Sequence, residues 1–240
     1  EQLKSLGKDM TYKPQNIHVI GAGTMGGDIA AWCALRGHTV TLQDREQKYI
    51  DPALERAGKL FSKRIRDEDK RRETSGRMQA DVSGDGAAKA DLLIEAIFEN
   101  LEAKQGLYQE LQAKMKPDAL LATNTSSIRL EDLRDVLTDP HRLIGLHFFN
   151  PVAMMPLVEV IHTADTPAEE TDRGIAFARR IDRLPLPCLS APGFVVNRVL
   201  MPYMMEALLV AQQDHDAFVR NPAAEPQSAV RLGLLPPAAL

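Results

Sequence analysis

Aromatic residues are scarce in this chain: one Trp, four Tyr and seven Phe amount to 5% of its 240 residues. Its core must therefore be built mainly from Ala, Val, Leu, Ile and Met. Cysteine is scarcer still. Cys33 and Cys188 lie far apart in apolar contexts and offer no ligand spacing, so they read as reduced core thiols and no metal site is expected. No apolar run approaches the ~20 residues that a bilayer-spanning helix needs, so membrane insertion is not expected. Charge is close to balanced, 29 Lys and Arg against 33 Asp and Glu, net −4. That argues against nucleic acid as the main partner. These absences leave a globular chain of ordinary composition, expected in the cytoplasm or an organelle matrix. It is long enough for one sizeable α/β core and a small second unit.

The polar stretch from Gln2 to Pro14 lacks sustained periodicity, and residues 1–14 read as a linker. The chain opens at Glu1, and Glu1 to Lys8 reads as the tail of a polar helix, as if cut from a longer polypeptide. From Asn16 the pattern changes. Ile17-His18-Val19-Ile20 is a short β run followed at once by Gly21-Ala22-Gly23-Thr24-Met25-Gly26-Gly27. An apolar helix then runs from about Met25 to Leu35, stopped by Gly37, and Thr39 to Gln43 forms a second strand ending at Asp44. Strand, glycine turn, helix and strand make a βαβ unit of a parallel sheet.

A charged helical arm is expected over about 52–77, with a turn near Glu73 to Gly76. Further strands are expected over Asp91–Ile97, Ala119–Thr123, Leu143–Phe149, Leu157–His162 and Leu184–Leu189. Helices are expected over Leu101–Met115, Leu130–Leu137 and from Thr166-Pro167 to about Ile181. Strand signals stop there, and Gly193 to Gln213 is a long, largely apolar helix opening a different unit. The expectation is an α/β fold of the Rossmann type, a doubly wound, mostly parallel sheet over residues 15–190. A helical C-terminal domain over 191–240, truncated or divergent, follows it.

The glycine turn has mechanical reasons at each position. Gly21 allows the tight turn out of the strand, Gly23 lets backbone approach a pyrophosphate, and Gly26 lets the helix pack closely. The anion would then sit at the helix N-terminus, which Thr24 and Met25 open, where free N–H groups and the macrodipole favour it. Asp44, 18 residues after Gly26, can accept hydrogen bonds from ribose hydroxyls and would repel a 2′-phosphate, so NAD is expected rather than NADP, although Arg45 could meet a phosphate.

Four more segments complete a pattern: Glu95-Ala96-Ile97-Phe98-Glu99-Asn100, Asn124-Thr125-Ser126-Ser127, Leu146-His147-Phe148-Phe149-Asn150-Pro151 and Pro192-Gly193-Phe194-Val195-Val196-Asn197-Arg198. With the glycine turn and Leu157-Val158-Glu159-Val160, they closely resemble the L-3-hydroxyacyl-CoA dehydrogenase family over roughly residues 15–210. The polar entry segment is similar to the linker that follows the hydratase domain in multifunctional β-oxidation enzymes. The resemblance implies NAD-dependent oxidation of a 3-hydroxyacyl-CoA in fatty-acid β-oxidation. It makes His147 the base, Glu159 the carboxylate that orients it, and Ser126 and Asn197 the donors to the substrate's oxygens. It also implies that Ile97 and Phe98 flank the dinucleotide, that Glu99 and Lys104 reach the nicotinamide ribose, and that Ser126 and Asn150 lie on the nicotinamide side. The expected partners are the acyl-CoA substrate and either a second copy of the chain or other β-oxidation domains.

Each of these residues has a plainer reading: His147 as a core histidine, Glu159 as an exposed strand carboxylate, Ser126 and Asn197 as caps. The His-Phe-Phe-Asn-Pro context, with Glu159 twelve residues on, favours catalysis for the pair. His18, His38, His141, His162 and His215 lack such context. The arm from Arg56 to Arg77 carries nine basic residues against four acidic ones; it could hold the phosphates of CoA or be a solvated face. The family's further C-terminal helices, with their Gly-x-Pro-Met-Gly-Pro type segment, have at best a faint echo in Gly233-Leu234-Leu235-Pro236-Pro237. A non-catalytic NAD-binding module therefore stays open as an alternative. An enzyme acting on sugar acids is disfavoured, because such enzymes typically use a lysine base.

Overall fold

Alternating β-rich and helical stretches wind into one sheet of eight strands, in a computed structural model that describes residues 5–7 and 10–220. The strands are β1 (Asn16–Ile20), β2 (Thr39–Gln43), β3 (Met78–Ala80), β4 (Leu92–Glu95), β5 (Leu120–Thr123), β6 (Leu143–Phe148), β7 (Leu157–His162) and β8 (Leu184–Leu189). Their order is β3-β2-β1-β4-β5-β6-β7-β8, and every pairing is parallel except β6 with β7. Winding runs outward from β1 through β2 to β3, then returns to the other side of β1 with β4. The order thus reverses between β1 and β4, and the crevice beyond their C-terminal ends is where open α/β sheets bind ligands.

A sheet covered on both faces needs apolar residues on both, so its strands read as continuous apolar runs. In β4, Leu92 and Ile94 join a core with Ile17, Val19, Ile29, Trp32 and Phe177, whereas Leu93 joins Tyr108, Leu111, Leu121 and Leu133 on the opposite face. The first core packs under helices α1 (Thr24–Leu35), α2 (Gln47–Arg64) and α6 (Ala168–Arg180), the second under α4 (Leu101–Gln112) and α5 (Leu130–Arg134). Helix α1 is buried at eight of its twelve positions, which small residues make possible this close to the sheet.

Several boundaries differ from the sequence reading. The charged arm is two helices: α2 begins five residues earlier, at Gln47, and α3 (Glu68–Gly76) continues through the expected turn. The break between them is capped, since the Asp67 carboxylate accepts a hydrogen bond from the Lys70 N–H at 2.9 Å. Strand β3 was not expected. It has three residues, of which only Met78 is buried, too few for any alternation to register. Helices α4 and α5 stop three residues short of their expected ends.

The chain divides into two compact units, Glu1–Phe194 and Val195–Leu240. The second contains α7 (Val196–Arg220), which starts three residues later than expected. The Gly233–Pro237 segment lies outside the described residues, as does part of the 1–14 stretch.

Candidate active site

The glycine turn leaves β1 at Gly21, whose φ of +101° is open mainly to a residue without Cβ. The same position faces β4: a Cβ there would stand 2.5 Å from the Ala96 carbonyl oxygen and 2.9 Å from the Ile97 nitrogen. Gly26 is held tighter still, because its Cβ would fall 1.8 Å from the Gly21 carbonyl oxygen. At Gly23 an added Cβ would meet nothing within 4 Å, so space lies open above the first turn of α1. Gly23 caps that helix without any side-chain bond to its N–H groups, while Thr24 is exposed and Met25 packs on the core. These are the features a pyrophosphate requires: close backbone, free N–H donors and the positive end of a helix.

A cavity of about 490 Å³ opens over this turn, lined among others by Gly21, Gly23, Asp44, Tyr49, Ile97 and Phe98. Asp44 Oδ2 accepts the Ala22 N–H and Oδ1 the Arg45 N–H, both at 2.8 Å. Each carboxylate oxygen has a second acceptor position for a ribose hydroxyl. Tyr49 and Glu110 also line this cavity, and neither stood out in the sequence, since nothing local distinguishes a helix tyrosine or glutamate from a solvated one.

Histidine and carboxylate meet further along the same sheet edge. In the antiparallel pair of β6 and β7, His147 is registered directly opposite Glu159, so their side chains leave the same face. His147 Nδ1 lies 2.7 Å from Glu159 Oε2. Glu159 is fully buried and His147 is 6% exposed, with the rings of Phe149 and Phe194 at 4.5 and 5.7 Å from the imidazole. Asn124, at the end of β5, steadies this strand by accepting the Phe148 N–H on its Oδ1 at 2.9 Å. Asn150 is exposed just beyond β6 and precedes Pro151 through a cis peptide bond.

Between these two regions lies Glu99. Its Oε1 accepts the Thr125 hydroxyl at 2.5 Å, the Ser126 N–H at 2.8 Å and the Ser127 N–H at 3.1 Å. Partial burial works against its ionisation, but these bonds and the Lys104 ammonium outweigh it and hold its carboxyl below the ordinary carboxylate range. Lys104 is 1% exposed, with Nζ 2.6 Å from Glu95 Oε1 and 3.5 Å from Glu99 Oε2. Ser126 is exposed, and its hydroxyl lies 3.3 Å from Glu99 Oε1. Asn197 stands in the first turn of α7, within the second unit. The histidines without functional context are engaged elsewhere: His18 Nδ1 and Nε2 lie 2.8 Å from Thr41 Oγ1 and Gln43 Oε1, and His38 Nδ1 lies 2.8 Å from the Pro14 carbonyl oxygen.

Residues 16–191 match the family model described as 3-hydroxyacyl-CoA dehydrogenase, NAD binding domain. The chain belongs to this dehydrogenase family. Within the family it is 38% identical to a Caenorhabditis elegans protein named probable 3-hydroxyacyl-CoA dehydrogenase, over 80% of this chain and 68% of that protein. It is also 38% identical to the fatty acid oxidation complex subunit alpha of Pseudomonas aeruginosa, over 77% of this chain but only 26% of that protein. Among solved structures, the 3-hydroxybutyryl-CoA dehydrogenase of Escherichia coli superposes with a TM-score of 0.80 at 36% identity, covering 84% of this chain and 43% of that one. FadB2 of M. tuberculosis superposes at 0.79 and 31% identity, covering 93% and 79%. The cofactor of this dehydrogenase domain is NAD, and the glycine cradle and Asp44 fit it. No helix among the described residues is long and apolar enough to cross a membrane.

Proposed function

We propose that this chain is the NAD-binding and catalytic part of an enzyme that oxidises L-3-hydroxyacyl-CoA to 3-oxoacyl-CoA in fatty-acid β-oxidation. The observation that carries the reading is the buried His147–Glu159 pair, at the sheet edge that also bears the glycine turn. With Nδ1 hydrogen-bonded to Glu159, His147 has Nε2 as its second nitrogen to take the proton from the substrate's 3-hydroxyl. Glu159 holds the ring in one orientation and stabilises the imidazolium as it forms. NAD, when bound, supplies the acceptor for the hydride that leaves C3 as the carbonyl forms. In the reverse direction His147 returns the proton to the carbonyl oxygen.

Ser126 and Asn197 donate to the substrate's oxygens where negative charge develops. Gly21, Gly23, Thr24, Met25 and Gly26 seat the pyrophosphate, and Asp44 takes the adenosine ribose. Ile97 and Phe98 flank the dinucleotide, Glu99 serves the nicotinamide ribose with the buried Lys104 ammonium holding it from behind, and Ser126 and Asn150 face the nicotinamide. Residues 1–14 act as a linker, 15–190 as the NAD-binding domain with its arm near 52–77, and 191–240 as the opening of a helical domain. The similarity to fatty acid oxidation complex subunits supports work in the cytoplasm or an organelle matrix beside other β-oxidation domains or a second copy.

The test is direct. The full-length protein is mixed with NADH and acetoacetyl-CoA and the loss of NADH absorbance followed, with His147→Gln as control. Turnover that vanishes in the variant supports the enzyme. NADH binding without turnover would instead make this a non-catalytic NAD-binding module.

A further inference from the structure

At the C-terminal end of β4, a carboxylate with no access to solvent is bonded by four donors, one from the loop that follows the strand, two from α4 and one from β5. Glu95 Oε1 accepts the Ile97 N–H at 2.8 Å and the Lys104 ammonium at 2.6 Å; Oε2 accepts the Tyr108 hydroxyl at 2.7 Å and the Thr123 hydroxyl at 2.8 Å. Glu95, Lys104, Tyr108 and Thr123 are all at most 1% exposed. A carboxylate is the side chain that accepts this many bonds at once, and it is buried here with its counter-charge beside it.

One branch of the cluster ends at the cofactor cavity, and the others lead to the 125–127 turn and the histidine strand. The Ile97 N–H belongs to the Ala96–Ile97 peptide, against which Gly21 is fitted, and Ala96, Ile97 and Phe98 line the cavity. Lys104 stands between Glu95 and Glu99, and Glu99 in turn gathers Thr125, Ser126 and Ser127. Thr123 is followed by Asn124, whose N–H donates to the Glu95 carbonyl oxygen at 2.7 Å and whose side chain holds the Phe148 N–H beside His147. A pair needed only for stability could be exchanged for apolar residues without loss; this one connects the glycine turn, the 125–127 turn and the histidine strand.

We propose that Glu95 is a positioning residue: through Ile97 it sets the 96–98 wall of the dinucleotide cavity against the glycine turn, and through Lys104 it holds Glu99 and with it the 125–127 turn. The inference rests on the proposed assignment of Gly21, Ile97, Glu99 and Ser126 to the cofactor site. Fully buried, Glu95 acts on NADH through its neighbours alone.

Glu95→Gln keeps the size of the side chain and removes its charge. In the full-length protein it is expected to raise the Kd for NADH, read by fluorescence titration, at least about tenfold. Leu133→Ala, in the core below α5, is the control for lost stability, since Leu133 lies outside the cavity lining. At a comparable drop in thermal midpoint it should leave the Kd within about twofold. Should Glu95→Gln fail to fold, Tyr108→Phe combined with Thr123→Val removes two donors, keeps the ion pair, and is expected to weaken binding about threefold or more. Unchanged NADH affinity in Glu95→Gln, or in the double variant where Glu95→Gln does not fold, overturns the proposal. So does an equal loss in the Leu133→Ala control. A wild-type protein that fails to bind NADH would instead remove the cofactor-site assignment itself.

Discussion

Glu159→Gln isolates the charge on which the proposed chemistry depends. Glutamine fills the same space in β7 and its oxygen can still accept from His147 Nδ1, so orientation survives while the negative charge disappears. In the native pair, Nδ1 and Oε2 are 2.7 Å apart and Glu159 is fully buried. With charge centres about 4 Å apart and an effective dielectric of about 20, the attraction to an imidazolium is about 4 kcal/mol. Proton transfer is incomplete in the transition state, so about 2–4 kcal/mol of it is lost there, or about 30- to 1,000-fold in kcat. The ground state, with neutral imidazole, keeps its hydrogen bond, so NADH affinity is expected to stay within about twofold. Steady-state rates of NAD reduction with an L-3-hydroxyacyl-CoA and a parallel NADH titration give both quantities. A kcat within about threefold of the native value would refute the reasoning, because Glu159 would then be a structural carboxylate. A kcat loss matched by an equal loss of NADH affinity would place the effect in the fold instead.

Three further outcomes follow from the same geometry. Gly26→Ala is expected to abolish measurable NADH binding, since its methyl group would overlap the Gly21 carbonyl oxygen at 1.8 Å; a titration giving native affinity would show that the turn can move aside. Asp44→Ala should raise the NADH Kd about tenfold, with folding intact by circular dichroism; an unchanged Kd would detach Asp44 from the ribose. His18 is depressed below its ordinary pKa because burial disfavours the imidazolium, more than its Gln43 bond and Asp81 favour it. Between that lowered value and the unfolded value of about 6.5, the unfolded chain binds more protons than the native one. His18 therefore costs no stability above about pH 6.5 and destabilises as pH falls through this window, so the thermal midpoint should drop less on acidification in His18→Gln than in the native protein. Equal drops would remove His18 as the cause; His38, lowered in the same direction by burial, supplies a remaining slope.

Local chemistry made much of this protein legible before any coordinates. A glycine turn between a β run and an apolar helix, with an acid closing the next strand, is a short-range arrangement whose steric demands act within one βαβ unit. Gly21 and Gly26 accordingly occupy positions where any Cβ would strike backbone. Alternation and turn residues likewise placed seven of the strands, while β3, with one buried residue in three, left no pattern to read. Tertiary structure decided what depends on register and on distant partners. That His147 faces Glu159 follows from the antiparallel turn of β7 on β6, and a shift of one residue would have sent the two side chains to opposite faces. Glu95 looked like one acid among 33; only the packing of α4 and β5 against β4 surrounds it with four donors and seals it from water. Steric rules and periodicity act between near neighbours and are written in the chain, whereas burial and hydrogen-bond partnership belong to segments that meet only once the sheet has closed.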